Sequence, residues 1–161
     1  MAAAQSRLDI AAGNLANVST DGFAPLVARA TLTPHGVSIV AERDARHGSL
    51  RYTGRDLDLA ILGNGAFIVR DRSGAVSRTR DGAFARNRDG TLSDPLGRTL
   101  VRVDLPRGGT VRHGYLEASG ADAIAQMIDV VWAQRSFESA QKAVSAIDGT
   151  RERSADAARV K

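Results

Sequence analysis

Cysteine is absent from this 161-residue sequence. A disulfide framework, a thiolate metal site and a cysteine nucleophile are therefore excluded, and no trace remains of an oxidising or reducing compartment. Aromatic residues are scarce: Trp132, Tyr52, Tyr115, Phe23, Phe67, Phe84 and Phe137 must serve the whole chain. Any core is built mainly from Ala, Val, Leu and Ile, and is thin. No run approaches the roughly 18 consecutive apolar residues of a membrane helix, so direct membrane insertion is not expected. Met1 to Arg7 lack the apolar stretch of a cleavable secretion signal, so any export is expected to use another route. Lysine is nearly missing: of 22 cationic residues, only Lys142 and Lys161 are not arginine.

What is present is ordinary globular composition, 43% hydrophobic and 25% charged, with a net charge of +4. The basic balance invites a nucleic-acid or other anionic partner. Against it, the arginines at positions 70, 72, 78, 80, 86 and 88 alternate with Asp71, Asp81 and Asp89. That is a mixed surface, and only Phe84 lies among the arginines to stack on a base. A basic soluble binding module stays as the alternative reading, and no nucleic acid is expected.

Met1, Ala4, Leu8, Ala11, Leu15 and Val18 follow 3–4–3–4–3 spacing, the a/d seam of a heptad helix. Asn17 is expected to close it, because Asn tolerates the left-handed conformation. Residues 25–47 read as a linker with one strand at Val37 to Ala41. From Gly48 to Gly114 the period becomes 2. Eleven of the sixteen glycines fall here, between short runs at Leu57 to Leu62, Ala66 to Arg70 and Arg98 to Leu105. In the last run Thr99, Val101, Val103 and Leu105 are expected to share a face. Asp81-Gly82 and Asp89-Gly90 are turn signals of hairpins. After Ser119-Gly120 a helix returns, with Val130, Ala133, Phe137, Ala140, Val144 and Ile147 again at 3–4 spacing. The charged tract Arg151 to Asp156 is expected to fray.

The expected fold is α+β, with discontinuous terminal helices forming a coiled coil around a small glycine-rich antiparallel β-domain. The segments are 1–24, an N-terminal helix; 25–47, a linker; 48–114, the β-domain; and 115–161, a C-terminal helix with a charged tail. The alanine-rich seams bury little apolar area, at about 25 cal/mol per Å², which points to lateral assembly.

Catalytic patterns are poor. His35, His47 and His113 match no ligand spacing, and no Gly-x-Ser-x-Gly elbow occurs. Gly63-Asn64-Gly65 is followed by Ala66-Phe67-Ile68-Val69, a strand rather than a phosphate-holding helix, and reads as a hairpin turn. Asp56 and Asp58 fall on one face of a strand and are the only candidate carboxylate pair for a hydrolase. No enzyme, cofactor or metal is implied.

Specific words in the sequence say more. Ala12-Gly13-Asn14-Leu15-Ala16-Asn17-Val18-Ser19-Thr20-Asp21-Gly22-Phe23 resembles the N-terminal signature of the bacterial flagellar rod and hook proteins. Gly48 to Val69, containing Thr53-Gly54-Arg55-Asp56-Leu57-Asp58 and Gly63-Asn64-Gly65, is similar to a second motif of that family. Thr79-Arg80-Asp81-Gly82-Ala83-Phe84, Gly114-Tyr115-Leu116-Glu117-Ala118-Ser119 and Ala133-Gln134-Arg135-Ser136-Phe137-Glu138 follow in the family's order. Departures stand at Gly13, Ala24 and Gly120-Ala121. The middle region is short, the first helix starts late, and a charged end follows Asp148, so the chain reads as a divergent or trimmed member.

The resemblance implies a structural axial subunit of the flagellar rod, in the periplasmic or extracytoplasmic basal body. Such a subunit is exported unfolded without a cleavable signal, and self-assembles to transmit torque in motility. Its implied partners are other rod and hook subunits, as homo- and hetero-oligomers, and the export apparatus. The expected assembly residues are Leu8, Leu15, Val18, Val130, Phe137, Val144 and Ile147. The family-motif residues are Asn14, Asn17, Gly22, Phe23, Thr53, Gly54, Leu57, Asp58, Gly63, Gly65 and Glu117. Proximal rod, distal rod and hook-related assignments all stay open.

Overall fold

The computed structural model describes residues 2–34, 36–44 and 46–159, the last of these from 152 onward as backbone only. Met1, His35, Ala45 and the side chains of the charged tract beyond Arg151 lie outside the described residues. Two compact units emerge. One holds the chain up to Gly13, Leu26–Glu42 and the chain from Ile124; the other holds Asn14–Pro25 and Arg43–Ala123.

The elements of the first unit are helical and β-ribbon. Helix α1 spans Ala2–Ala16, strands β1 (Leu26–Thr33) and β2 (Gly36–Arg43) form a two-stranded sheet, and α2 spans Ala123–Arg159. At about 1.5 Å per residue α2 is roughly 55 Å long. Its backbone is helical through Gly149 and the tract expected to fray. Both terminal helices exist, but among the described residues they form no coiled coil and strands outnumber helices. The α+β coiled-coil architecture is thus overturned. The physical reason lies in the seam itself. Alanine occupies many of its positions and supplies no knob large enough to lock two helices. Val144 and Ile147, where larger side chains do occur, are 43% and 54% exposed.

The second unit is a stack of small antiparallel sheets. Strands β3 (Leu50–Tyr52), β4 (Leu59–Leu62), β5 (Ala66–Arg70), β6 (Val76–Thr79), β7 (Ala85–Arg86), β8 (Leu92–Ser93), β9 (Thr99–Asp104), β10 (Thr110–His113) and β11 (Tyr115–Glu117) follow in chain order. They pair as β10–β4, as β11–β3 and as a five-stranded sheet ordered β6-β5-β9-β8-β7. Asp89-Gly90 turns the β7–β8 hairpin, with Gly90 at φ 85°. Gly63-Asn64-Gly65 does not make a hairpin: β4 and β5 belong to different sheets, and the glycines turn a corner between them. Left-handed conformation is confined to glycine among the described residues. Helix α1 ends at Ala16, beside Asn17 as expected, but Asn17 is not left-handed; the left-handed residue that follows is Gly22, at φ 67°.

The core is Leu59, Ile61, Phe67, Val69 and Phe84, with Leu92, Leu100, Leu105 and Val111 packed around it. Phe67 and Phe84 meet edge to face at 5.1 Å, the geometry that aromatic quadrupoles favour. The expected shared face of β9 holds from Val103 to Leu105 and breaks at Val101. Ile68 pairs with Arg102 and Val69 with Leu100, so Val101 is an extra residue bulged out of the ladder. One bulge reverses the in/out parity, which brings Leu100 rather than Val101 to the core face that Leu105 shares; Val101 and Val103 are 45% and 36% exposed.

Candidate functional site

Two of the buried polar side chains of the second unit, Glu117 and Asp58, stand at the centre of tight knots where the motif words meet; Asp94, paired with Arg98 at 2.6 Å, and Asn14 are buried apart from them. Glu117, on β11, is 4% exposed. Its carboxylate accepts from Arg80 Nε at 2.7 Å and Nη2 at 2.6 Å, and from the Gly48 N–H at 3.2 Å. Its backbone carbonyl accepts the Gly22 N–H at 2.7 Å. Arg80 spends its remaining donors on the carbonyls of Ile61, Gly63 and Gly65, each at 3.0 Å. One ion pair thus ties the segment after α1, the Gly48 strand entry, the Gly63–Gly65 corner and β11 together.

Glycine is required at the close approaches in this knot. A Cβ on Gly22 would lie 2.2 Å from the Asp81 nitrogen, and one on Gly48 would lie 1.8 Å from the Ala118 carbonyl oxygen. Gly120 donates to the Phe23 carbonyl, which fastens the far end of the same segment. Beside it lies a cleft of about 570 Å³ bounded by Thr20 to Ala24, Ser77 to Asp81 and Leu96. Burial raises the Asp81 carboxyl at its edge above the usual range, against the Ala83 N–H that its oxygen accepts.

The second knot centres on Asp58, 1% exposed. Arg55 grips both its oxygens, Nε to Oδ2 at 3.0 Å and Nη2 to Oδ1. Burial pushes this carboxyl up, but the Arg55 and Thr53 hydrogen bonds and the neighbouring arginine charges prevail and hold it below the usual range. The Thr53 and Gly54 N–H groups donate to the Gly114 carbonyl, Gly114 donates to the Asp58 carbonyl, and Phe84 donates to the Leu57 carbonyl. Asp56 sits exposed in the preceding turn. The two aspartates are not a carboxylate pair, because one is locked to arginine inside the fold and the other faces water.

The remaining motif residues play local parts. Asn14 is buried at the end of α1, and Asn17 accepts from the Thr20 hydroxyl at 3.2 Å. Leu8, Leu15, Val18, Val130 and Phe137 are half-buried, and Val144 and Ile147 are exposed. Sequence reasoning singled out Glu117 and Asp58 but not their partners Arg80 and Arg55. Arg80 was legible only as one arginine of a mixed-charge stretch, although it stands inside the Thr79–Phe84 word. Among the described residues no cluster of three metal-capable side chains occurs. The arrangement fixes backbone segments against one another, and its carboxylates are occupied in doing so.

Three family models match the chain. "Flagella basal body rod protein" covers residues 1–23, "Flagellar hook protein FlgE/F/G D1 domain" covers 60–126, and "Flagellar basal body rod FlgEFG protein C-terminal" covers 112–157. No curated protein matches it.

Proposed function

The chain belongs to the flagellar basal-body rod and hook family, a structural component of the flagellum, and from that premise we propose that it is an axial rod subunit that self-assembles to carry torque. Its partners in this reading are copies of itself and other rod and hook subunits. It reaches them through the flagellar export apparatus. The apolar residues of the helices, Leu8, Leu15, Val18, Val130, Phe137, Val144 and Ile147, meet neighbouring subunits in the tube wall.

The observation that carries this reading is a contrast within one chain. The knots at Glu117 and Asp58 bind the segments of the β-unit together through paired charges, whereas α2 exposes Ile124, Met127, Ile128, Val131 and Trp132 in its first turns and Val144 and Ile147 further along. A single subunit that leaves such surface uncovered suits an assembly. The nucleic-acid alternative loses support, because seven arginines, at 29, 46, 51, 55, 78, 80 and 98, are engaged by carboxylates of the same chain. The test is recovery of a tagged chain in purified basal bodies, together with motility after gene deletion. Absence from basal bodies with unchanged swimming would overturn the reading.

A further inference from the structure

Asn64 and Gly65, at the corner between β4 and β5, form the one Asn-Gly step in the sequence; Asn14, Asn17 and Asn87 are followed by Leu, Val and Arg. Asn64 is exposed, and the Oδ1 of its amide faces His47 Nε2 at 3.4 Å, seventeen positions away in sequence. The other ring nitrogen of His47 lies 3.7 Å from Glu117 Oε1. Arg80, the partner of Glu117, donates at 3.0 Å to the carbonyls of Gly63 and Gly65, so its guanidinium clasps the peptide groups on both sides of the Asn64–Gly65 peptide. The nitrogen of that central peptide donates to no acceptor among the described residues.

This arrangement suits a reaction within the chain. The nitrogen that follows an asparagine reaches its side-chain amide carbon most readily when it belongs to glycine, because no side chain hinders the approach. Position 65 is held to glycine by a φ of 146° and by a Cβ that would lie 2.7 Å from the Asp104 carbonyl oxygen. Cationic and donor groups stand where charge develops. The Arg80 guanidinium beside the peptide nitrogen favours loss of its proton, and an N–H of His47 at the amide oxygen stabilises the oxyanion of the tetrahedral intermediate. We propose that Asn64 is a site of self-modification, at which the Gly65 nitrogen closes on the Asn64 side chain and converts it to a carboxylate, with His47 as oxyanion donor.

The Gly65 nitrogen gives its proton to a solvent base and bonds to Asn64 Cγ. The Cγ–Nδ2 bond then breaks, and Nδ2 takes a proton from solvent and leaves as ammonia. A succinimide ring remains. Water adds to one of its two carbonyls and opens it, at Cγ to give aspartate and at the backbone carbonyl to give isoaspartate. One water enters, one ammonia leaves, and no oxidant or reductant takes part. The new carboxylate stands opposite His47, and isoaspartate adds one backbone carbon to a corner whose flanking carbonyls Arg80 spans. A slow covalent change at the surface is thereby coupled to the Arg80–Glu117 knot. The step needs no second copy of the chain and is independent of the rod reading.

The test incubates the full-length chain at neutral pH in heavy-oxygen water and follows each asparagine peptide by mass spectrometry. Asn64 should convert ahead of Asn14, Asn17 and Asn87, with heavy oxygen in the new carboxylate. His47→Ala should slow the conversion by roughly tenfold, the scale of one net hydrogen bond. Its circular dichroism should match the parent, because the His47 side chain is exposed. In guanidinium chloride the two chains should convert at one rate, since only the fold brings His47 to Asn64, and that rate should fall below that of the folded parent. This last comparison needs the parent alone, and so holds even where the variant does not fold. Asn64→Gln, whose longer side chain must close a larger ring, should stay unconverted, and Asn64→Asp supplies the product standard. An unmodified Asn64, equal rates for the folded parent and folded His47→Ala, or a folded parent no faster than the unfolded one would overturn the proposal.

Discussion

Arg80 and Glu117 stand thirty-seven positions apart in sequence and share a two-nitrogen contact at 2.7 and 2.6 Å, with side chains only 13% and 5% exposed. Burial makes this pair sensitive to loss of one partner. Arg80→Ala leaves a carboxylate inside the fold without its cation and removes the donor from three backbone carbonyls, at an expected cost of roughly 3–5 kcal/mol. The exposed Arg78, paired with Asp104, should cost no more than about 1 kcal/mol when replaced by Ala. Urea unfolding followed by far-ultraviolet circular dichroism compares the two. Equal midpoints would show that the knot does not hold the β-unit.

Asp81 and Asp58 respond to acid with opposite signs. Asp81 is raised by burial, so its ionised form opposes folding; the associated stability is present in acid and lost as pH rises through the raised value. Asp81→Asn keeps an acceptor for the Ala83 N–H and should be more stable than the parent at neutral pH, with the gap closing as pH falls. Asp58 is depressed by Arg55 and Thr53 despite its burial. Its contribution is therefore present above the unfolded value of about 3.9 and disappears as pH drops through the lower folded value. Asp58→Asn should thus be less stable than the parent at neutral pH and converge with it only in strong acid. Denaturant midpoints from strong acid to neutral pH read both slopes.

Glycines separate the rigid from the permissive parts of the chain. A Cβ on Gly82 would lie 1.7 Å from the Leu59 carbonyl oxygen, which accepts no compromise because both atoms are backbone-fixed. Gly82→Ala should destabilise by more than about 2 kcal/mol, among the larger single-site effects. Gly13 lies within α1 with open space around it, and Gly13→Ala should stabilise the helix by up to about 1 kcal/mol. Thermal melts of the two variants should move in opposite directions.

Helix positions, the strand at Ala66–Arg70 and the motif carboxylates were legible because each rests on local pattern: 3–4 spacing, an apolar run, a word. What was not legible depends on residues far apart in sequence. Thr99 and Val101 were expected on the face of Val103 and Leu105, since alternation cannot register a bulge that exists only opposite Ile68 and Val69. Asp56 and Asp58 looked like a pair because spacing ignores which one an arginine captures. The coiled coil failed for a related reason. A heptad seam specifies that a helix has an apolar side, not what covers it, and alanine at the seam leaves the choice of partner undetermined.

The helix faces give the last prediction. Phe137 is half-buried on α2 and Leu15 half-buried near the end of α1, and both are the largest apolar residues well inside their seams. Replacing either with Asp places a charge where a neighbouring subunit is proposed to close over it, at a cost of several kcal/mol wherever that closure excludes water. In the isolated chain the side chain still reaches solvent, so Phe137→Asp and Leu15→Asp should stay soluble and keep the β-signal of residues 48–114. Phe67→Ala makes the opposite comparison: fully buried in the core against Phe84, it should lower stability by about 3–5 kcal/mol without touching a helix face. Motility of cells carrying each variant, together with its recovery in basal bodies, separates the effects. Helix variants that fold but fail to enter the rod, beside a chain whose Asp56→Asn change leaves swimming intact, are the expected outcome. Normal rods from both helix variants would mean that the terminal faces are not where the subunits meet.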